Sequence, residues 1–164
     1  MPKRATALTA AAGEHFVAFR LSAMGYPVAL TRGGSPAIDL MVADITGRTA
    51  ISIQVKTSNW ARRSYVKRPE RNCWLWDVGT KAIGFQGDNI FYVFVDLKGG
   101  NGATPDAFVV PSVSVADYVK EEHTRKMFPL SEEDGNKMCN NWEPIKDRLG
   151  APILAEIDEP NDSQ

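Results

Sequence analysis

Two short runs, Ala37-Ile38-Asp39-Leu40-Met41-Val42 and Ile51-Ser52-Ile53-Gln54-Val55-Lys56, alternate apolar and polar residues. A period of two is the signature of a strand with one buried face. In the second run it sends Ile51, Ile53 and Val55 to one side and Ser52, Gln54 and Lys56 to the other. In the first, Ile38, Leu40 and Val42 oppose Asp39, Met41 and Ala43. The polar stretch Asp44-Ile45-Thr46-Gly47-Arg48 reads as a turn. Pairing through it makes a hairpin that sets Asp39 close to Gln54 and Lys56.

Upstream, Leu8, Ala11, Ala12, Phe16, Phe19 and Ala23 recur at helical spacing and predict a helix over Leu8 to Met24, ended by Gly25 and Pro27. Glu14 falls in its first half, on a flank shared with Ala18 and Leu21. Tyr26 to Leu30 reads as a short strand, and Thr31-Arg32-Gly33-Gly34-Ser35-Pro36 as a loop. Residues 57–88 are polar and aromatic without a clear period. Asn89 to Leu97 is a nearly continuous apolar run suited to a strand buried on both faces. Lys98-Gly99-Gly100-Asn101-Gly102 turns the chain into a further strand, Ala107 to Val110. A helix is expected over Val113 to Met127, started by Ser112 or Ser114, and another over Trp142 to Leu149, ended by Gly150. No internal repeat is present.

The 164 residues, 43% of them apolar, fit one domain over 1–155, followed by an acidic tail, 156–164, whose composition favours disorder. A chain of this size buries about 70% of its unfolded surface, so folding requires no metal or disulfide. Cys73 and Cys139 are too few and too far apart for a disulfide framework, and no run is apolar enough for a membrane span or export signal. The expectation is a soluble cytoplasmic protein. The net charge of -1 argues against a protein that simply coats a polyanion. Yet six basic residues (Lys56, Arg62, Arg63, Lys67, Arg68 and Arg71) stand between positions 56 and 71 against one acid, Glu70, with Trp60 and Tyr65 among them. Such a stretch serves as a phosphate-backbone track or as a solvated loop.

A carboxylate on one strand, an amide oxygen on its neighbour and a lysine two residues further on suit a hard divalent cation. Magnesium takes oxygen ligands, one or two of them carboxylates, together with substrate phosphate. An adjacent lysine can orient or help deprotonate a water. Burial would lower the pKa of Lys56, whereas Asp39 and Glu14 would raise it.

The order of helix with Glu14, strand, Asp39, hairpin and Gln54-Val55-Lys56 resembles the PD-(D/E)xK nuclease superfamily, which includes restriction endonucleases and repair nucleases. Gly13-Glu14, Gly25-Tyr26, Arg32 with Ser35, Ile38-Asp39-Leu40 and Ile53-Gln54-Val55-Lys56-Thr57 look most like its archaeal Holliday junction resolvase branch. The likeness covers roughly a third of the chain, in short motifs. It implies an α/β, restriction endonuclease-like fold with a mixed central β-sheet flanked by helices, built on an αβββαβ-type core. It also implies a magnesium-dependent endodeoxyribonuclease, with manganese able to substitute, acting on DNA that is branched or otherwise structured. Glu14, Asp39, Gln54 and Lys56 would be catalytic. Asp39, Gln54, the backbone carbonyl of Val55 and Glu14 would hold the metal, and Lys56 would position the attacking water. Arg32, Ser35, Ser58, Arg62, Arg63, Lys67 and Arg68 would face DNA. Because resolvases act as dimers, the resemblance also points to a homodimer.

Two departures stand out. Ile38 rather than proline precedes the aspartate, and the usual acid of the last motif is the neutral Gln54, which leaves Glu14 as the compensating carboxylate. Trp60, Trp74 and Trp76 suit either base stacking or the core. His15, His123, Cys73 and Cys139 lack zinc-site spacing. Gly99-Gly100-Asn101-Gly102 reads as a turn, since no Gly-Lys-Ser/Thr follows. Two alternatives stand beside the nuclease: a catalytically inactive nucleic-acid-binding module on the same fold, and an unrelated α/β domain that binds a protein or small molecule.

Overall fold

A computed structural model of the chain describes residues 3–31, 37–121 and 126–152, with side chains from Thr6 onward. Helix α1 (Lys3–Ala23) leads into β1 (Val28–Leu30), β2 (Leu40–Ala43) and β3 (Ala50–Ser58). The short β4 (Arg62–Arg63) and β5 (Cys73–Asp77) follow, then β6 (Ile90–Asp96), β7 (Asp106–Pro111), α2 (Ser112–Glu121), β8 (Met127–Ser131), α3 (Glu132–Met138) and α4 (Glu143–Leu149). A five-stranded sheet runs β1-β2-β3-β6-β7, and a three-stranded sheet runs β4-β5-β8. In the large sheet only β3 and β6 are parallel. Their connection carries β4, β5 and two 3-10 turns, Pro69–Arg71 and Thr80–Gly84.

Each face of the large sheet has its own core. On one face Val17 and Leu21 of α1, with Trp142 just before α4 and Ile145 and Leu149 within it, close over Ile51, Ile53 and Val55. Each such buried aliphatic side chain contributes about 1.5–3 kcal/mol. On the other face Tyr92 and Phe94 of β6 and Phe108 and Val110 of β7 meet Trp74 and Trp76 of the small sheet and Val115 and Val119 of α2. The small sheet thus covers the β6–β7 half of that face.

The expected hairpin is present, with Leu40 opposite Ile53 and Val42 opposite Ile51, and β3 buries Ile51, Ile53 and Val55 as its alternation requires. Asn89 to Leu97 yields β6, Ala107 to Val110 yields β7, and Trp142 to Leu149 yields α4. Other expectations are corrected. The buried stripe of α1 is Gly13, Val17 and Leu21, whereas Leu8 and Phe19 are each 66% exposed. Gly13 decides the face: a Cβ there would lie 1.9 Å from Thr57 Oγ1, so only glycine lets the helix lie this close to β3. The helix expected to reach Met127 is described only to Glu121, and Met127 instead opens β8, which pairs antiparallel with β5. Pro129 is tolerated because β8 is an edge strand. Both Trp74 and Trp76 are core residues. Arg32, Ser35, His123 and the acidic tail 156–164 lie outside the described residues. Among the described residues no helix is long and apolar enough to cross a membrane.

Candidate active site

The β2–β3 register places Asp39, the residue before β2, beside the end of β3. Its N–H donates to the Ile53 carbonyl at 2.9 Å, the last rung of the hairpin ladder. Beyond that rung β3 has no backbone partner on this side among the described residues, and the Asp39 carboxylate takes its place. Val55 N–H donates to Asp39 Oδ2 at 2.7 Å and Gln54 Nε2 donates to the same oxygen at 2.8 Å. A carboxylate with two donors on one oxygen is held in a single orientation. Among the described residues, Asp39 Oδ1 and Gln54 Oε1 accept no hydrogen bond. The Val55 carbonyl lies on the same edge of the strand as its N–H, and so faces the same side.

Asp39, Gln54, Val55 and Lys56 line one cavity of about 1040 Å³, and Glu14 reaches it from α1. The four side chains expected to act together therefore share one volume. The close Gly13–Thr57 contact brings Glu14 there, since it fixes the first half of α1 against the end of β3. Burial and the nearby Asp39 charge hold the Glu14 carboxyl above its ordinary value, with His15 opposing them weakly. Lys56 is pushed below the ordinary lysine value by burial; Asp39 and Asp77 pull it back up, and Lys81 adds to the lowering. Burial therefore wins over the carboxylates. Tyr92, directly across from Gln54 on β6, is pushed up to about 12 by burial and by Asp39.

The chain shares its fold with a bacterial homing endonuclease. The solved structure of I-Ssp6803I matches 93% of this chain and 97% of its own, at a TM-score of 0.58 and 19% identity. Likeness at that identity establishes a mixed central sheet flanked by helices; activity is a matter for the site itself. No protein-family model and no curated protein matches the chain.

The donor set suits a small hard cation: two carboxylates that repel one another, an amide oxygen and a backbone carbonyl. Among the described residues no three His, Cys, Asp or Glu side chains cluster closely enough to hold a metal, so a cation held here would need the Gln54 and Val55 oxygens beside the carboxylates.

The basic segment divides into three parts. Arg62 is occupied within the protein: it forms an ion pair with Glu132, and its guanidinium lies 4.2 Å from the Trp74 ring centroid. Arg63 and Ser58 line the cavity, as does Trp60, which is 59% exposed. Lys67 and Arg68 stand apart, in a shallow depression of about 390 Å³ formed by the loop after β4, where Val66 is 97% exposed. Sequence reasoning missed Asp77, Lys81 and Tyr92, all of which line the main cavity. One signal was available: Asp77-Val78-Gly79 is an Asx turn, with Asp77 Oδ1 accepting from Gly79 N–H at 3.0 Å.

Proposed function

We propose that this protein is a magnesium-dependent DNA endonuclease of the PD-(D/E)xK type, with Gln54 in the position of the last-motif acid. The observation that carries the reading is that Glu14, Gln54 and Lys56 line one cavity together with an Asp39 carboxylate fixed by two donors. Asp39, Glu14, Gln54 Oε1 and the Val55 carbonyl would hold magnesium, or manganese in its place. When bound, such an ion stabilises charge gathering on phosphorus and lowers the pKa of water. Asp39, already anchored by two donors, needs little reorganisation to serve as a ligand. Lys56 carries the water-directed role. Because burial lowers its pKa, its Nζ reaches the neutral, proton-accepting form at a lower pH than a solvated lysine, which suits deprotonation of the attacking water. Ser58 and Arg63 would meet the DNA backbone at the cavity, and Lys67 and Arg68 further out, with branched DNA as the substrate class and a homodimer as the acting form.

The test is nicking or linearisation of plasmid and branched DNA with magnesium or manganese. Cleavage that disappears in Asp39→Ala and Lys56→Ala, with DNA binding retained, supports the proposal. The Gln54 amide bound to Asp39 favours one second reading, a DNA-binding module without cleavage. Metal-independent, salt-sensitive binding with no cleavage of any DNA form would select that reading.

A further inference from the structure

The wall of the cavity formed by the small sheet carries a charged residue that the reaction above leaves without a role. Lys81 lines the cavity from the 3-10 turn after β5, a cavity also lined by the carboxylates Glu14, Asp39 and Asp77. We propose that Lys81, with the neighbouring Thr80 hydroxyl, forms a second phosphate-binding subsite that holds the nucleic-acid strand away from the scissile position. This rests on the nuclease reading and extends it to the substrate backbone.

Three observations support the assignment. The first is charge. Among the described residues Lys98, Lys120, Lys137, Lys146 and Arg62 each form an ion pair, whereas Lys81 forms none. Lys56 and Lys81 share a cavity that also holds the carboxylates Glu14, Asp39 and Asp77. A polyanion entering that cavity needs such cations to offset repulsion from Glu14 and Asp39.

The second is rigidity. Val78 and Gly79 N–H both donate to the Lys126 carbonyl, at 3.0 and 3.3 Å, and Asp77 closes the turn on Gly79. Ala82, adjacent to Lys81, is buried in the second core. The base of the lysine is therefore anchored, and ordering its side chain on a phosphate costs less than it would on a loose loop.

The third is spacing. Arg63 pairs with Cys73 at one end of β5, and the turn bearing Lys81 leaves from Asp77 at the other end. A strand rises about 3.4 Å per residue, so the ends of β5 are roughly 14 Å apart. Arg63 and Lys81 both line the cavity, from opposite ends of β5, and so suit different phosphates of one strand.

The experiment is binding of a short labelled duplex in EDTA across a potassium chloride series, so that cleavage plays no part. Lys81→Ala is expected to weaken binding several-fold at low salt and to reduce the slope of log K against log salt by about 0.9, the loss of one phosphate contact. Lys81→Arg should restore both. Lys120→Ala, which removes a lysine already paired with Asp117 outside the cavity, should change neither. Lys81 is exposed, so an unchanged thermal melt is expected in each variant. An unchanged slope and affinity in Lys81→Ala, with normal binding by the wild type, would overturn the subsite and leave the nuclease reading standing. A wild type that fails to bind at the lowest salt would overturn both.

Discussion

Gln54→Glu is the sharpest perturbation of the site, because it restores the charge of the last-motif acid while removing a hydrogen bond seen in the fold. Gln54 Nε2 donates to Asp39 Oδ2 at 2.8 Å; a glutamate there brings two anions together with no proton between them. A hydrogen bond to a charged group is worth about 1.5–3 kcal/mol. Two like charges about 4 Å apart repel by about 4 kcal/mol at the effective dielectric of a protein surface, an upper bound that protonation of one carboxyl relieves. Without metal, Gln54→Glu should therefore be less stable by about 2–4 kcal/mol at pH 7, or roughly 5–15 °C in a domain of this size. The penalty shrinks as the pH falls, because like-charged carboxyls have raised folded-state pKa values and regain stability once protonated. Magnesium should narrow or close the gap. A third carboxylate tightens binding, and saturation at one hundred times Kd returns about 2.7 kcal/mol. Thermal melts with and without magnesium, together with plasmid cleavage against magnesium concentration, provide the assay. A metal-free melt equal to that of the wild type, with no larger magnesium shift, would show that residue 54 does not share a metal site with Asp39.

Glu14→Gln should stabilise the metal-free protein at pH 7 and abolish cleavage, since burial and Asp39 disfavour the charged carboxyl. The gain should be about 1 kcal/mol or less, since the pair is partly exposed and screened by solvent, and should vanish below the ordinary value of 4.5, where the wild-type carboxyl is protonated in both states. Lys56→Met should likewise raise the urea midpoint at pH 7 while eliminating cleavage. Because the folded wild type releases its lysine proton before the unfolded chain does, that advantage should narrow as the pH climbs toward 10.5. Gly13→Ala should cost about 1–3 kcal/mol by overpacking against Thr57, despite alanine's better helix propensity. Thr57→Ala in the same chain should recover most of the loss, since it removes an Oγ1 that is buried without a partner. Additive losses in this double-mutant cycle would show that the Gly13–Thr57 contact does not set the position of α1.

Much of the site is legible in the sequence because the pairing that builds it is local. Alternation in Ala37–Val42 and Ile51–Lys56, with a short polar turn between them, fixes both the strand faces and the proximity of Asp39 to Gln54. The buried face of α1 was not legible. Alanines spread around the helix give little contrast between faces, and the face is chosen by Gly13 meeting Thr57, a contact between distant residues. The small sheet was hidden for the same reason: β5 becomes a central strand only when β8, far along the chain, pairs with it. Asp77 and Lys81 reach the cavity only through that pairing. The expectation for Arg62 illustrates the limit of composition. Six basic residues in one stretch look alike in sequence, yet Glu132 and Trp74 hold Arg62 while Arg63 lines the cavity.

The position where the small sheet stops accounts for the electrostatics of the site. Gln54 and Tyr92 are cross-strand neighbours, as are Lys56 and Phe94, so all four project from the same face of the large sheet. On β6 that face is roofed by Trp76 and Phe128, and its residues are aromatic and packed: Tyr92 stacks on Phe94, and Phe94 on Phe128, with ring centroids 5.7 and 4.9 Å apart. On β3, one strand over, the same face is lined by Gln54 and Lys56 and opens into the cavity. Lys56 thus stands at the rim of an aromatic core, dry enough for burial to lower its pKa and open enough to meet a water. Full coverage by the small sheet would strand an unpaired ammonium, and no coverage would leave an ordinary solvated lysine. A roof over half of one sheet face gives Lys56 its altered proton affinity, and the same roof brings Arg63, Asp77 and Lys81 to the cavity that Glu14 and Asp39 line.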